Sequence, residues 1–383
     1  MGNKNLAKAK KEKYDEFYTQ YSDIQKEIEA YLEFNPDVFR NKIVYCNCDD
    51  PYESNFFRYF VLNFNKLGLK HLITTSYKPS FVANTQLKLF GDDKTLSKSK
   101  NRPKITANKF IIKKVHDINK DGEFNLEDIA EQLKENKDNE WTSLEEDGDF
   151  RSSECIELLK MSDIVVTNPP FSLFREYVKQ LIDYNKKFLI IGNLSSITAK
   201  EIFPLIKNNK LWLGNKTSSQ QMFLEAPKEY TEEVVSSKPQ GMWWRIINGK
   251  VLIGIHTALW FTNLDHGRRH QPLPLMTMEE NLKYSKHKDI KGKKSYSKYG
   301  NYNAIEVPFT KAIPSDYTGV MGVPISFLDK YNPEQFEILG SDYNVKEGLL
   351  PRLVNPNWNG KLDRGYVDNK RIFARILIQH RKK

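Results

Sequence analysis

Cysteine is scarce in this chain: there are three among 383 residues, Cys46, Cys48 and Cys155. So small and odd a set cannot form a disulfide framework, and it fits a reducing cytoplasm. Cys46 and Cys48 have no histidine or second cysteine pair nearby, which is poor spacing for zinc, and no metal centre is expected. Strand-like alternation would point both sulfurs to one face. Long apolar runs are missing too, so no membrane span is expected. Residues 1–13 are basic but lack the apolar core of a secretory signal. Leu6 stands where a myristoylation site after Gly2 needs Ser or Thr. There is also no Gly-x-Gly-x-x-Gly, the loop that cradles a pyrophosphate, and this points away from NAD and ATP.

Positive charge, by contrast, is in excess. The net charge is +10 and the pI about 9.1, which favours a polyanionic partner such as nucleic acid. The length allows a large core and gives two domains as the natural expectation.

The most informative segment is Asp163 to Phe171. Ile164, Val165 and Val166 form a β-branched run typical of a buried parallel strand. Pro169 and Pro170 end it, because they have no N–H to extend a ladder. Open α/β sheets bind ligands at the carboxyl ends of their strands, where this tetrapeptide falls. Asn168 offers a side-chain carbonyl. Pro169, kept from helical geometry by the proline after it, offers a projecting main-chain carbonyl. Phe171 adds a flat apolar face. Two acceptors and a stacking plate suit a planar amine such as adenine N6. Acceptors on both N–H groups favour a pyramidal nitrogen and take up positive charge as a methyl group arrives. Asn168 is too weak a base to remove the proton first, so its expected role is orientation.

Elsewhere the pattern alternates between strands and helices. Ser22 with Gln25 reads as a capping box for a helix ending near Phe34. Lys42–Cys48 reads as the first core strand, followed by the acidic turn Asp49-Asp50-Pro51. Ser54 caps an apolar helix from Asn55 to about Leu67, closed by Gly68. An acidic loop at this crossover repels pyrophosphate and attracts a cationic ligand, such as one bearing ammonium and sulfonium groups, through either Asp49 or Asp50. His71–Tyr77 reads as a second strand, and residues 78–104 as an insertion or hairpin. Asp117 to Asp128 imitates calcium-loop spacing, but a strand pattern precedes it and the last position is not Glu, so it reads as a turn capping a helix at Leu126–Leu133. Strands are expected at Lys187–Gly192, Leu211–Gly214, Met222–Leu224, Trp243–Ile247 and Val251–Leu264, with Trp243, Trp244 and Trp260 in the core. From His266 the texture becomes basic. Arg268 and Arg269, then Lys291, Lys293 and Lys294, are expected to meet phosphates, with Tyr284, Tyr296, Tyr299 and Tyr302 interleaved to meet bases.

Asn168-Pro169-Pro170-Phe171 resembles the catalytic motif of amino-group methyltransferases that use S-adenosylmethionine. Four stretches make the chain similar to EcoRI-type adenine-specific DNA methyltransferases: Asp15–Gln20, Val44–Pro51, Gly148–Ser152 and Thr167–Phe174. The resemblance runs from about residue 14 to the Gly319–Gly340 region. It implies an α/β Rossmann-like methyltransferase core, a mostly parallel sheet flanked by helices, with an appended C-terminal target-recognition portion. It further implies that Tyr18 and Thr19 pack over the donor, with Thr19 meeting its carboxylate. Ser76 would contact the ribose, Asp149 would accept from the donor's ring amine, and Phe150 would pack beside that ring. The expected organisation is a basic arm at 1–13, a methyltransferase domain at 14–265 and a recognition portion at 266–383. The expected activity is N6-methylation of an adenine flipped out of double-stranded DNA, in the cytoplasm of a bacterium or from a phage or plasmid gene. Functional pairing with a restriction endonuclease, without a stable complex, goes with it. The rivals are an RNA adenine or protein-glutamine methyltransferase with the same pocket, and a DNA-binding regulator without catalysis.

Overall fold

The computed structural model describes residues 18–48, 54–77, 107–117, 128, 138–226 and 228–381. They fall into two compact units, Met1–Ile202 with Leu213–Asp265, and Phe203–Trp212 with His266–Lys383. Residues 203–212, inside the range 14–265 expected for one domain, thus belong to unit two. The expectations for 1–13, 78–104 and the Asn119–Asp121 turn lie outside the described residues.

The strands of unit one are β1 (Ile43–Cys46), β2 (His71–Thr75), β3 (Asn108–Ile112), β4 (Glu140–Ser143), β5 (Ile164–Thr167) and β6 (Lys187–Asn193). After β7 (Trp212–Leu213) come β8 (Met222–Leu224), β9 (Trp244–Ile247), β10 (Lys250–Ile255) and β11 (Ala258–Thr262). The large sheet runs β4-β3-β2-β1-β5-β6-β11 within this unit. Its centre, β2-β1-β5-β6, is parallel, while β3, β4 and β11 pair antiparallel on the two sides. Central strands must be apolar on both faces. Val44, Tyr45, Cys46, Val165 and Val166 accordingly have no accessible surface.

Helices α1 (Tyr21–Phe34), α2 (Asn55–Leu62), α3 (Phe64–Leu67), α4 (Ser153–Met161) and α5 (Phe174–Asp183) belong to this unit. On α5, Phe174, Tyr177, Val178 and Leu181 recur at helical spacing and are all buried. Two local expectations need correction. Helix α1 begins one residue before Ser22, with Gln20 at its N-cap and no side-chain cap, so Ser22 is an interior residue rather than a capping box. The helix after Ser54 is broken at Asn63, whose side chain donates to the Tyr59 carbonyl at 2.8 Å and competes with the helical ladder. Ser54 does cap α2, accepting from Phe56 N–H and Phe57 N–H at 3.1 and 3.3 Å. Gly68 closes α3 at φ +63°. The stretch Val251–Leu264 is two strands rather than one, parted by a turn at His256 and Thr257.

Unit two is built on β12 (Ile305–Glu306), β13 (Met321–Pro324), β14 (Phe336–Ser341) and β17 (Arg375–His380), in the order β12-β13-β17-β14. Strands β15 (Tyr366–Val367) and β16 (Lys370–Arg371) form a separate hairpin. Ile376, Leu377 and Ile378 of β17 are buried at its centre.

Candidate active site at the strand ends

From β1 the chain runs outward to β2, β3 and β4, then returns on the other side of β1 as β5. Adjacent strands whose connections leave in opposite directions open a crevice at their carboxyl ends. Asn47 stands there at the end of β1, and Thr167 and Asn168 at the end of β5. Asn47 is buried and ties three strands together. Its main-chain carbonyl accepts from the Thr167 hydroxyl. Its side-chain oxygen accepts from Cys48 N–H at 2.7 Å and from the Thr75 hydroxyl at 3.1 Å. Cys48 lies at φ +60°, so the chain turns out of the strand there. The expected alternation of Cys46 and Cys48 on one strand face therefore does not occur. All three cysteines are free thiols.

The motif is anchored at both ends. Thr167 is fully buried in β5, and Leu173 N–H donates to the Pro170 carbonyl at 3.0 Å where α5 begins. Asn168 and Pro170 are half-buried and Pro169 is buried. Phe171 is 4% exposed and belongs to the apolar cluster that contains Val166 and Leu189. A base can reach its face only if the residues covering it move.

Tyr18 and Thr19 lie beside the β1 crossover. Tyr18 bridges Glu225 in antiparallel fashion, and the Thr19 carbonyl accepts from Asn55 Nδ2 at 2.8 Å, at the start of α2. Thr19 is buried, and its hydroxyl finds no hydrogen-bond partner among the described residues. A buried hydroxyl left in that state costs roughly 1–3 kcal/mol, which an incoming polar ligand atom would recover. Asp49 and Asp50 lie outside the described residues. Ser76 is fully buried; its hydroxyl accepts from Asn108 N–H at 2.8 Å. Over it sits the turn Asp147–Asp149. A Cβ on Gly148 would lie 2.0 Å from the Ser76 carbonyl, and Gly148 has φ +79°, so only glycine fits this approach.

Asp149 is gripped by Arg151, whose Nε donates to one carboxylate oxygen at 2.8 Å and whose terminal nitrogen donates to the other at 2.6 Å. Those bonds hold the Asp149 carboxyl below the usual carboxylate range, against the opposing effect of burial. Arg151 N–H also donates to Oδ1 at 2.9 Å, which leaves Oδ2 as the oxygen with acceptor capacity to spare. Phe150 is buried edge-on against Tyr177, with ring centroids 4.9 Å apart. The fold thus brings Ser76 together with the Asp149 turn, and Thr19 together with the start of α2. Sequence reasoning missed the lock made by Asn47, Thr75 and Thr167, and the Arg151 clamp. Their signal was small: a polar residue ending each apolar strand, and an arginine two positions after Asp149.

The basic residues of unit two divide into two kinds. Arg268 donates to the Asp329 carbonyl. Arg269 is 8% exposed, donates to Asn209 Oδ1 and stacks 3.7 Å from the centre of the Trp212 ring. Lys291, Lys293 and Lys294 are exposed. The interleaved tyrosines are a correction. Tyr296, Tyr299 and Tyr302 are buried, their hydroxyls donating to Ala312 O at 2.6 Å, to Glu306 and to Leu362 O at 3.2 Å. They serve the core of unit two; Tyr284 alone of the four is largely exposed.

Among the described residues no three His, Cys, Asp or Glu side chains are grouped so as to hold a metal, and no helix is long and apolar enough to cross a membrane. The family described as "Adenine-specific methyltransferase EcoRI" matches residues 5–381. The chain is 44% identical to the type II methyltransferase M.EcoRI of Escherichia coli, over 97% of this chain and 98% of that protein. It is 32% identical to M.MpnI of Mycoplasma pneumoniae, covering 98% of each. It is 35% identical to M.MgeORF184P of Mycoplasma genitalium, covering 97% of each. No solved structure matches the chain. With Asn168-Pro169-Pro170-Phe171 at the strand-end crevice, and a family match over nearly its whole length, the chain belongs to the EcoRI-type adenine-specific methyltransferases.

Proposed function

We propose that the chain methylates N6 of an adenine turned out of duplex DNA, with Asn168 and Pro169 accepting from the two N–H bonds of the amine. The observation that carries this reading is the position of Asn168, at the end of β5 beside the Asn47–Thr167 lock. There the acceptors are preorganised by a strand below and a helix above, so holding charge as it develops on nitrogen costs little rearrangement. Asn168 orients the amine, and the proton leaves to water once the nitrogen has become cationic. Once the residues covering it move aside, Phe171 stacks on the everted base, which together with the two hydrogen bonds offsets the few kcal/mol, roughly, needed to unpair it.

S-adenosylmethionine supplies an electrophilic sulfonium methyl group. The chain's own polar groups fit such a donor. The buried Thr19 hydroxyl suits its carboxylate, and Asp49 or Asp50 its ammonium. Tyr18 packs over it, and Ser76, fully buried beneath the Asp147–Asp149 turn, reaches the ribose only when that turn shifts. Asp149 Oδ2 suits the ring amine, with Phe150, whose ring meets Tyr177 edge-on, packing beside the donor's ring. Lys291, Lys293 and Lys294 supply phosphate contacts, whereas Arg268 and Arg269 serve by holding unit two together. The type II relatives support a modification role that protects bacterial DNA against a partner endonuclease without a stable complex.

Tritium transfer from labelled donor tests the reading. Label is expected in duplex DNA and not in RNA or protein, and mapping should find N6-methyladenine at one short sequence in plasmid from a producing host. Label in RNA or in protein glutamine instead would replace the reading. Full biological effect in Asn168→Ala would make the chain a regulator.

A further inference from the structure

Unit two contains a cleft of about 790 Å3 between the His287–Ser297 loop and the segment joining β16 to β17. An ion pair forms part of its lining: Arg375 Nε donates to the two Glu306 oxygens at 3.0 and 3.1 Å, and both side chains are nearly buried. Those charges cancel, so the other residues set the sign. Arg371 is likewise paired, with Asp363, which leaves Lys288 and Lys293 against one carboxylate of the lining, Asp289. Phe373 also lines the cleft and is 86% exposed, the highest exposure among the large apolar side chains of the described residues.

A single exposed apolar residue is ordinary on a protein surface. Phe373 differs because the backbone around it is fixed. Arg371 pairs with Asp363 at 2.9 Å, Ile372 packs against an apolar cluster and Arg375 is bonded to Glu306. The ring is therefore held out into water beside a basic cleft by a segment anchored on both sides.

We infer that this cleft seats duplex DNA, with Phe373 contacting bases and Lys288 and Lys293 contacting the flanking phosphates. The inference rests on the DNA-methylation reading and adds to it residues that discriminate the site. A benzyl ring cannot hydrogen-bond a phosphate. On a duplex its gain comes from thymine methyl groups or from the faces of an opened base step, both of which depend on sequence. Ammonium and guanidinium groups neutralise phosphates whatever the sequence. The two kinds of residue therefore leave different signatures.

The test is fluorescence anisotropy of the full-length protein on a duplex carrying the mapped methylation site and on a scrambled duplex, each at several salt concentrations. Phe373→Ala should bind the cognate duplex about 10-fold or more weakly. It should bind the scrambled one within about threefold of wild type, with an unchanged salt slope. Phe373→Trp should retain discrimination. Lys288→Ala with Lys293→Ala should weaken both duplexes alike and lower the slope by about two. Thermal unfolding should match wild type in each case. Cognate affinity preserved in Phe373→Ala, or equal loss on both duplexes, would overturn the inference while leaving the methylation reading intact. Wild-type protein that binds neither duplex would instead remove the methylation reading, and this inference with it.

Discussion

The strand-end motif of unit one and the basic stretch of unit two begin from equally suggestive text and end differently. Asn168 to Phe171 is held by its own neighbours: a buried strand before it, two prolines within it and a helix right after it. Residues 281–302 alternate lysine with tyrosine, but nothing local decides which way each side chain turns. In the fold three of the four tyrosines face inward and the lysines 291, 293 and 294 face water. Local covalent constraint makes a motif legible, whereas tertiary packing reassigns residues whose alternation is ambiguous.

Arg269 and the exposed lysines make the same point through charge. Both belong to a basic region, yet Arg269 stacks on Trp212 and bonds Asn209, while Lys291, Lys293 and Lys294 stay in solvent. Identical formal charge thus divides into a group that holds the fold and a group available to a polyanion.

Four variants test this contrast. The largest effect belongs to the motif: Asn168→Ala should lower the rate of methyl transfer by about 100- to 1000-fold, with duplex affinity within a few-fold of wild type by anisotropy. Loss of binding in step with activity would show that the residue holds the fold or the DNA rather than the amine. Next, Arg269→Ala should destabilise unit two by about 1–2 kcal/mol in denaturant titration, since it removes a buried cation stacked on Trp212. The same variant should leave the salt slope of DNA binding unchanged, and a lower slope would make Arg269 a phosphate contact after all. The triple variant Lys291→Ala, Lys293→Ala, Lys294→Ala should do the reverse. Its duplex affinity should fall roughly 10-fold with a slope lower by about two to three, and its unfolding should be unaltered.

The smallest effect concerns Asp342, buried in unit two, whose carboxyl burial raises to about 6 despite the Arg364 guanidinium 3.6 Å away. A folded-state value above the unfolded one means the group favours folding below about pH 4, an advantage lost as pH rises towards 6. Asp342→Asn keeps an acceptor for Arg375 N–H without the buried charge. It should therefore raise stability by about 1–2 kcal/mol at pH 8 and by nothing at pH 4. Equal effects at both pH values would assign the gain to packing.

Much of the fold was readable because parallel strands announce themselves as apolar runs: β5 and β6 fall where Asp163–Asn168 and Lys187–Gly192 were expected. The acidic turn at Asp149 and the Ser54 cap were readable for the same local reason. The Asn47–Thr75–Thr167 lock was not, since its members are 28 and 120 positions from one another's partner. Nor was the passage of residues 203–212 into unit two, because an apolar helix such as Phe203–Lys207 carries no mark of which core it will join. Phe171 was expected as an open stacking plate, and its burial in this state depends on neighbours far along the chain.

Methyl transfer depends on an acceptor at position 168, and single-turnover transfer to a duplex saturated with enzyme and donor isolates that step. Asn168→Asp retains an acceptor and should keep a rate within about 10-fold of wild type, while Asn168→Ala falls by at least about 100-fold. Equal rates for Ala and Asp, whether both near wild type or both abolished, would contradict the claim that a carbonyl oxygen here prepares the adenine amine.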